Sequence, residues 1–208
     1  MDPLNSSIIK SIEIVLFYPI HSIIYNQQIK QDVKYKTFSR FYKGLPFQFM
    51  YQPINRYLDV IIYNKYDVSL QTSILNSTLK FVTYPLQTCE VYYQINNKLP
   101  NIINYYNGYQ FFFISNTISY YLWFNSLKYY DLYFTNIINN TNVKNATVGF
   151  LAGLTVDIII NPLKVLKTNY QNNIKKYDFN FKFMFRGIKA RILLSSLQSA
   201  FFYTAIKL

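Results

Sequence analysis

Long stretches without a charged residue alternate along the chain with short basic segments. The charge-free stretches cover residues 44–55, 99–127, 145–156 and 192–206. Once a few flanking charges are admitted, segments of this kind reach the roughly 20 residues that a helix needs to cross a bilayer. Clustered lysine and arginine beside apolar spans is the pattern that fixes the orientation of membrane proteins. The distribution therefore predicts an all-α membrane protein.

Three segments repeat one pattern without gaps: YPIHSIIYNQQ at 18–28, YPLQTCEVYYQ at 84–94 and NPLKVLKTNYQ at 161–171. Each has a proline at its second position and a glutamine nine residues later, and each is followed by an aromatic residue, any residue and a glycine. The shared positions are Pro19, Pro85 and Pro162, then Gln28, Gln94 and Gln171, then Gly44, Gly108 and Gly187. Such agreement predicts a threefold repeat within a single domain 1–208, with units 1–66, 67–140 and 141–208.

Each unit is interpreted as two membrane-crossing helices joined by a loop. The proline is expected to kink the first helix, because it lacks a backbone donor and crowds the preceding turn. The aromatic-x-Gly element then begins the second helix, so three units predict six transmembrane helices. Gly149 and Gly153 have the spacing that lets two helices approach closely, and we expect their role to be structural.

The composition narrows the functional classes. The chain has 208 residues, a net charge of +12 and only 14% charged residues, against about 25% in an average soluble domain. A single cysteine, Cys89, and a single histidine, His21, argue against a disulfide framework, a metal cluster and a catalytic triad. With no phosphate loop and no nucleophile–base pair, we expect no enzyme. The basic segments 30–43 and 172–191 leave nucleic-acid binding as an alternative, which lacks a motif and which the repeat disfavours.

The third unit adds a family resemblance. Its segment GFLAGLTVDIIINPLKVLKTNYQ, at 149–171, resembles the odd-numbered helix of the mitochondrial carrier family, and FRGIKARILLSSLQSAFFYTAIKL, at 185–208, resembles that family's last helix. The resemblance implies six helices in a pseudo-threefold bundle, as a multi-pass protein of the mitochondrial inner membrane. The start Met1-Asp2-Pro3 is not typical of a cleavable signal, so entry is expected to use internal signals.

The resemblance also implies an inner gate of charged pairs just after the prolines. Here the family's acidic positions hold His21, Gln87 and Lys164, and its basic positions hold Ile24, Glu90 and Lys167. The implied pairs are His21 with Glu90, Gln87 with Lys167, and Lys164 with Ile24. At best one reversed ion pair remains, if His21 is protonated. Beneath the gate, the three glutamines are either braces, as the resemblance implies, or ordinary helix-end hydrogen-bonding groups.

The outer gate and the central substrate positions depart from the family as well. The outer acidic positions hold Asn64, Lys128 and Lys207, and two of the basic positions hold Asp67 and Asp131, so no full ring of ion pairs is expected. The central positions hold Tyr51, Ser115, its neighbour Asn116, and Leu194. Because none of these is cationic, and an anion without a cationic partner binds poorly in the membrane interior, anionic solutes are disfavoured.

Lipid is the ligand that the resemblance still supports, and cardiolipin is the lipid it implies. Helix starts and basic groups on one membrane face suit its phosphates. The positions are Tyr42, Lys43, Gly44, Gly108, Arg186 and Gly187. Solvated loop charges are an equally weighted alternative, and no other cofactor is expected.

These departures favour a degenerate carrier: a non-transporting accessory subunit that sits with other protein subunits in an inner-membrane assembly such as a respiratory-chain complex. The alternative is an active divergent carrier for a neutral or aromatic solute. Nucleic acid is not expected as a partner.

Overall fold

A computed structural model describes residues 2–29, 41–174 and 181–207. Its helices are α1 (Pro3–Gln28), α2 (Leu45–Lys65), α3 (Leu70–Leu79), α4 (Tyr84–Asn96), a short 3-10 helix (Ile102–Asn104), α5 (Tyr109–Phe134), α6 (Thr141–Gln171), α7 (Phe181–Met184) and α8 (Ile188–Lys207). No strand occurs in the described ranges, which confirms the predicted all-α class. Much of the two predicted basic segments, at 30–40 and 175–180, lies outside these ranges.

Neighbouring helices pack in chain order and close on themselves. α1 packs on α2, α2 on both α3 and α4, α3 on α5, α5 on α6, and α6 on α8. α8 then returns to pack on α1. α3 and α4 follow one another and together occupy one position in this ring. The helices therefore form a closed ring with six positions, held by α1, α2, α3 with α4, α5, α6 and α8.

The proline of the second unit has a different place in its helix from the other two. α1 runs unbroken through Pro19 and α6 through Pro162. In the second unit the helix stops after Leu79 and resumes at Tyr84, so that Pro85 lies in the first turn of α4. A proline is well tolerated there because the first-turn N–H groups have no partner within the helix. The expected kink in this unit is therefore a complete break.

The glycine of each unit adopts the same backbone conformation. Gly44, Gly108 and Gly187 have φ angles of 87°, 80° and 70°, and each lies immediately before α2, α5 or α8. This left-handed region favours glycine because other residues place their Cβ against the following carbonyl.

A hydrogen bond also recurs in the three units. The side chain just before each proline donates to a backbone carbonyl shortly before the glycine: Tyr18 Oη to Lys43 O at 2.5 Å, Tyr84 Oη to Asn107 O at 2.6 Å, and Asn161 Nδ2 to Met184 O at 2.8 Å. In the third unit the shorter asparagine finds its acceptor in α7 instead of directly before the glycine. The sequence repeat is thus also a repeat of local structure.

The described helices bury polar side chains and expose apolar ones. In α1, Glu13 and Gln28 are buried, whereas Ile12 and Leu16 are half or more exposed. α6 likewise buries Asp157 and exposes its neighbour Ile158. α1 and α6 are also long and apolar enough to cross a membrane, with mean hydropathies of 1.5 and 1.6 over their most apolar segments. Apolar outer faces around a polar interior are typical of helices in lipid.

The close approach of α6 to α8 depends on the paired glycines. A Cβ at Gly153 would lie 2.8 Å from the Ser195 carbonyl oxygen, and one at Gly149 would overlap the Ser199 carbonyl. The predicted structural role of these two glycines is confirmed.

Candidate functional site

A cavity of about 200 Å³ lies inside the ring and is lined by residues from all six positions of the ring. Seven charged side chains line it: Lys10, Glu13, Arg56, Asp59, Lys80, Asp157 and Lys164. Charged groups are rare inside membrane-crossing helices, where they mark functional sites or pair with one another. The four cations exceed the three carboxylates by one.

The three lysines each pair with a carboxylate close by. Lys10 Nζ lies 2.5 Å from Glu13 on the same helix, and Lys164 Nζ lies 2.7 Å from Asp157, also on its own helix. Lys80, at the end of α3, lies 2.5 Å from Asp59 on α2. Arg56 makes no ion pair within the described residues, and its guanidinium lies over Phe202, 3.9 Å from the ring centroid.

The predicted central positions occupy different surroundings. Tyr51 donates a 2.6 Å hydrogen bond to Glu90, and Ser115 donates to the Phe112 carbonyl of its own helix. Leu194 is buried. Asn116 lines the cavity and accepts a hydrogen bond from Lys80 at 3.3 Å.

The absence of cations expected from the central positions does not extend to the whole cavity. The four predicted positions indeed lack a cation, but four other cations line the cavity. Cationic partners for an anion are therefore available there.

None of the three pairs implied at the inner gate forms. His21 lies beside Gln198, 3.4 Å between their Nε2 atoms, and Glu90 binds Tyr51 instead. Lys164 forms its ion pair with Asp157 on its own helix. Ile24 is a buried apolar residue and offers Lys164 no charge to pair with. These side chains find partners nearer than the expected ones.

The third implied pair is absent too. Lys167 lies over the Phe112 ring at 5.8 Å, and Gln87 lines a second cavity of about 170 Å³. No hydrogen bond joins Gln87 to Lys167 in the described part of the chain.

The three glutamines join the proline-containing helices to one another. The amide of Gln94 on α4 donates to Ser22 of α1, and that of Gln171 on α6 donates to Thr88 of α4 at 3.3 Å. Gln28 of α1 accepts from Thr168 of α6 at 2.7 Å. The cycle α1 to α6 to α4 to α1 is closed by uncharged hydrogen bonds, which favours the brace interpretation over helix-end capping.

The outer positions yield one ion pair within the described residues. Asp131 lies 3.2 Å from Lys144, which joins α5 to α6. Lys128 instead lies over the Tyr63 ring at 5.9 Å. Asn64 and Asp67 are exposed at the end of α2, and the Lys207 side chain lies outside the described atoms.

The predicted lipid positions cluster at the end of the ring where α2, α5 and α8 begin, opposite to the outer positions. Lys43 Nζ lies 2.6 Å from Asn97 Oδ1, and Tyr42 stacks on Tyr18 at 6.2 Å. Arg186 lies over Phe183 at 4.9 Å. Gly44, Gly108 and Gly187 stand at the starts of α2, α5 and α8.

Sequence reasoning missed most of the charged cavity lining. Lys10, Glu13, Arg56, Asp59 and Asp157 lie inside the predicted apolar helices as isolated charges or close pairs. That placement is itself a signal, because such residues usually face the interior of a helix bundle.

Neither the family models nor the curated proteins include a match to this chain. The resemblance to the carrier family therefore rests on the internal repeat and the motif in the third unit.

Proposed function

We propose that this protein crosses a membrane six times as a carrier-type helix ring and serves as a non-transporting subunit of a larger membrane assembly. The closed contact order α1 to α8, the shared glycine turns and the apolar outer faces support the ring. Placement in the mitochondrial inner membrane, with cardiolipin at the Lys43 and Arg186 ends, follows the family resemblance alone.

The observation that supports lost transport is the uncharged link between α1, α4 and α6. Alternating access requires two conformations of similar free energy, each stabilised by its own contacts. Here the glutamine hydrogen bonds hold one mouth, while the opposite mouth offers the single described ion pair of Asp131 with Lys144. With so little to stabilise the reverse conformation, the ring is expected to stay closed at the glutamine end.

Native sizing tests this proposal. Membranes containing the tagged protein are solubilised in a mild detergent and separated by size, and the fraction containing the tag is compared with that from a harsh detergent. The proposal predicts a large particle in mild detergent that dissociates to the 24.8 kDa chain in harsh detergent. A monomer-sized particle under both conditions would contradict it.

A second candidate, a working solute carrier, is favoured by the charged cavity. Reconstitution of the purified chain in liposomes decides between the two. Saturable uptake of any solute that needs the intact Arg56 would establish the carrier, whereas the subunit proposal predicts leak-level flux for wild type and Arg56→Gln alike.

A further inference from the structure

Among the described residues, Arg56 has no carboxylate partner inside the cavity. Its guanidinium lies over the Phe202 and Trp123 rings, at 3.9 and 5.2 Å from their centroids. Lys10 and Lys80 line the same cavity, and both are cations as well. Since a guanidinium presents several donors in a planar fork, this surrounding favours an incoming carboxylate.

The cavity lining also includes two buried carboxylates, which attract a cationic group. Glu13 and Asp157 are each only 1% exposed, and each uses one oxygen for its lysine. The second oxygens, Glu13 Oε2 and Asp157 Oδ2, accept no hydrogen bond from the described residues. A buried acceptor without a donor destabilises the protein, so a ligand that brings donors to these oxygens gains from binding.

The cavity also limits the size and shape of a ligand. At about 200 Å³ it is smaller than the roughly 300–1,000 Å³ of sites for drug-sized molecules. Tyr120, Trp123 and Phe124 supply an apolar wall on α5.

We propose that this cavity binds a small zwitterion of the α-amino-acid type. Its carboxylate would lie on Arg56, and its ammonium would donate to Glu13 Oε2 and Asp157 Oδ2. A simple anion would leave both carboxylate oxygens without donors, and a simple amine would leave Arg56 without a carboxylate. The proposal goes beyond the proposed function, because binding requires neither a moving gate nor a partner subunit.

Thermal unfolding of the purified protein in detergent tests the proposal. The ligand panel contains glycine, L-alanine, L-leucine and L-phenylalanine, each beside the matched acid without the amino group and the matched amine without the carboxylate. We expect at least one amino acid to raise the melting temperature in a saturable way, and its two matched analogues to bind at least tenfold more weakly.

Variants connect the effect to the cavity. Arg56→Gln is expected to weaken amino-acid binding at least tenfold, and Arg56→Lys to retain part of it. Lys65→Gln removes an exposed cation from the same helix, and so should leave binding unchanged. Circular dichroism verifies that each variant is folded.

Three results would overturn the proposal: no stabilisation by any amino acid, equal binding of the deaminated acid, or equal binding by Arg56→Gln. The first would mean a cavity occupied by water, and the second a simple anion site. Because these readings use the isolated chain, they leave the native-sizing result for the proposed function untouched.

Discussion

Gly44 shows how one residue type fixes a turn. Its φ of 87° favours glycine, and an added Cβ would lie 2.7 Å from the Tyr18 hydroxyl and 3.0 Å from the Glu90 carbonyl. Gly44→Ala should therefore destabilise the fold by more than the roughly 1–2 kcal/mol of left-handed backbone strain alone. Thermal or denaturant unfolding in detergent measures the loss.

Gly187→Ala is the matched control for this prediction. Gly187 shares the left-handed backbone, with φ of 70°, but its added Cβ would meet no described atom nearer than 3.5 Å. It should show the strain without the clash. Equal losses for the two variants would contradict the packing described around Gly44.

At the residue scale, repetition made some positions predictable and left others hidden. The prolines, glutamines and glycines stand out because each occurs at one register in three units. The cavity charges do not repeat: Arg56 has no cationic counterpart at the matching Tyr120 of the second unit. Their convergence depends on which helix faces the interior, and that is decided by tertiary packing.

Between elements, the glutamine braces are the contacts most open to measurement. Gln171 of α6 and Thr88 of α4 are both buried, and one hydrogen bond joins them. Thr88→Val should destabilise the fold by about 1–3 kcal/mol, because it leaves the buried Gln171 amide without an acceptor. Gln171→Leu should cost only about 0.5–1.5 kcal/mol, because the Thr88 hydroxyl keeps its hydrogen bond to the Tyr84 carbonyl. Together they should cost less than the sum of the two, by a coupling of about 0.5–3 kcal/mol.

The same double-mutant cycle on Gln171 with Cys89 provides a control. Cys89 is Thr88's neighbour on α4, and no hydrogen bond to Gln171 involves it. Gln171→Leu with Cys89→Ala should be additive. Coupling as large as that of the Thr88 pair would show that the effect is a general loosening of α4.

The contact of α6 with α8 gives a second prediction at this scale. Gly153→Val would press against the Ser195 backbone, so it should destabilise the fold by several kcal/mol or separate the two helices. Ile159→Val on the exposed face of α6 should change the melting temperature little, since Ile159 is 50% exposed. A tolerated Gly153→Val would contradict the close approach.

The elements themselves were partly predictable. The proline and glycine signals located the helix pairs, yet the second unit differs from the others by its break at residues 80–83. A proline permits either a kink or a new helix start, and the choice depends on packing. In this unit Lys80 turns towards Asp59 and Thr83 donates to Asn55, both on α2.

On the scale of the whole molecule, helix length agrees with the six membrane crossings that we propose better than composition does. α8, the shortest unbroken member of the ring, has 20 residues, or about 30 Å, which equals the usual hydrocarbon thickness. Composition alone selects two helices, α1 and α6. The others contain many tyrosines, asparagines and interior charges, which lower their mean hydropathy without shortening them.

Cysteine accessibility in sealed vesicles of uniform orientation tests the six-crossing ring most directly. In a Cys89→Ala background, single cysteines replace Asp67 and Asn139 near one end of the ring and Lys98 and Lys182 near the other, all of them exposed. A membrane-impermeant maleimide should label one pair in intact vesicles and the other pair only after permeabilisation. Labelling of Asp67→Cys and Lys98→Cys from the same side would contradict the ring.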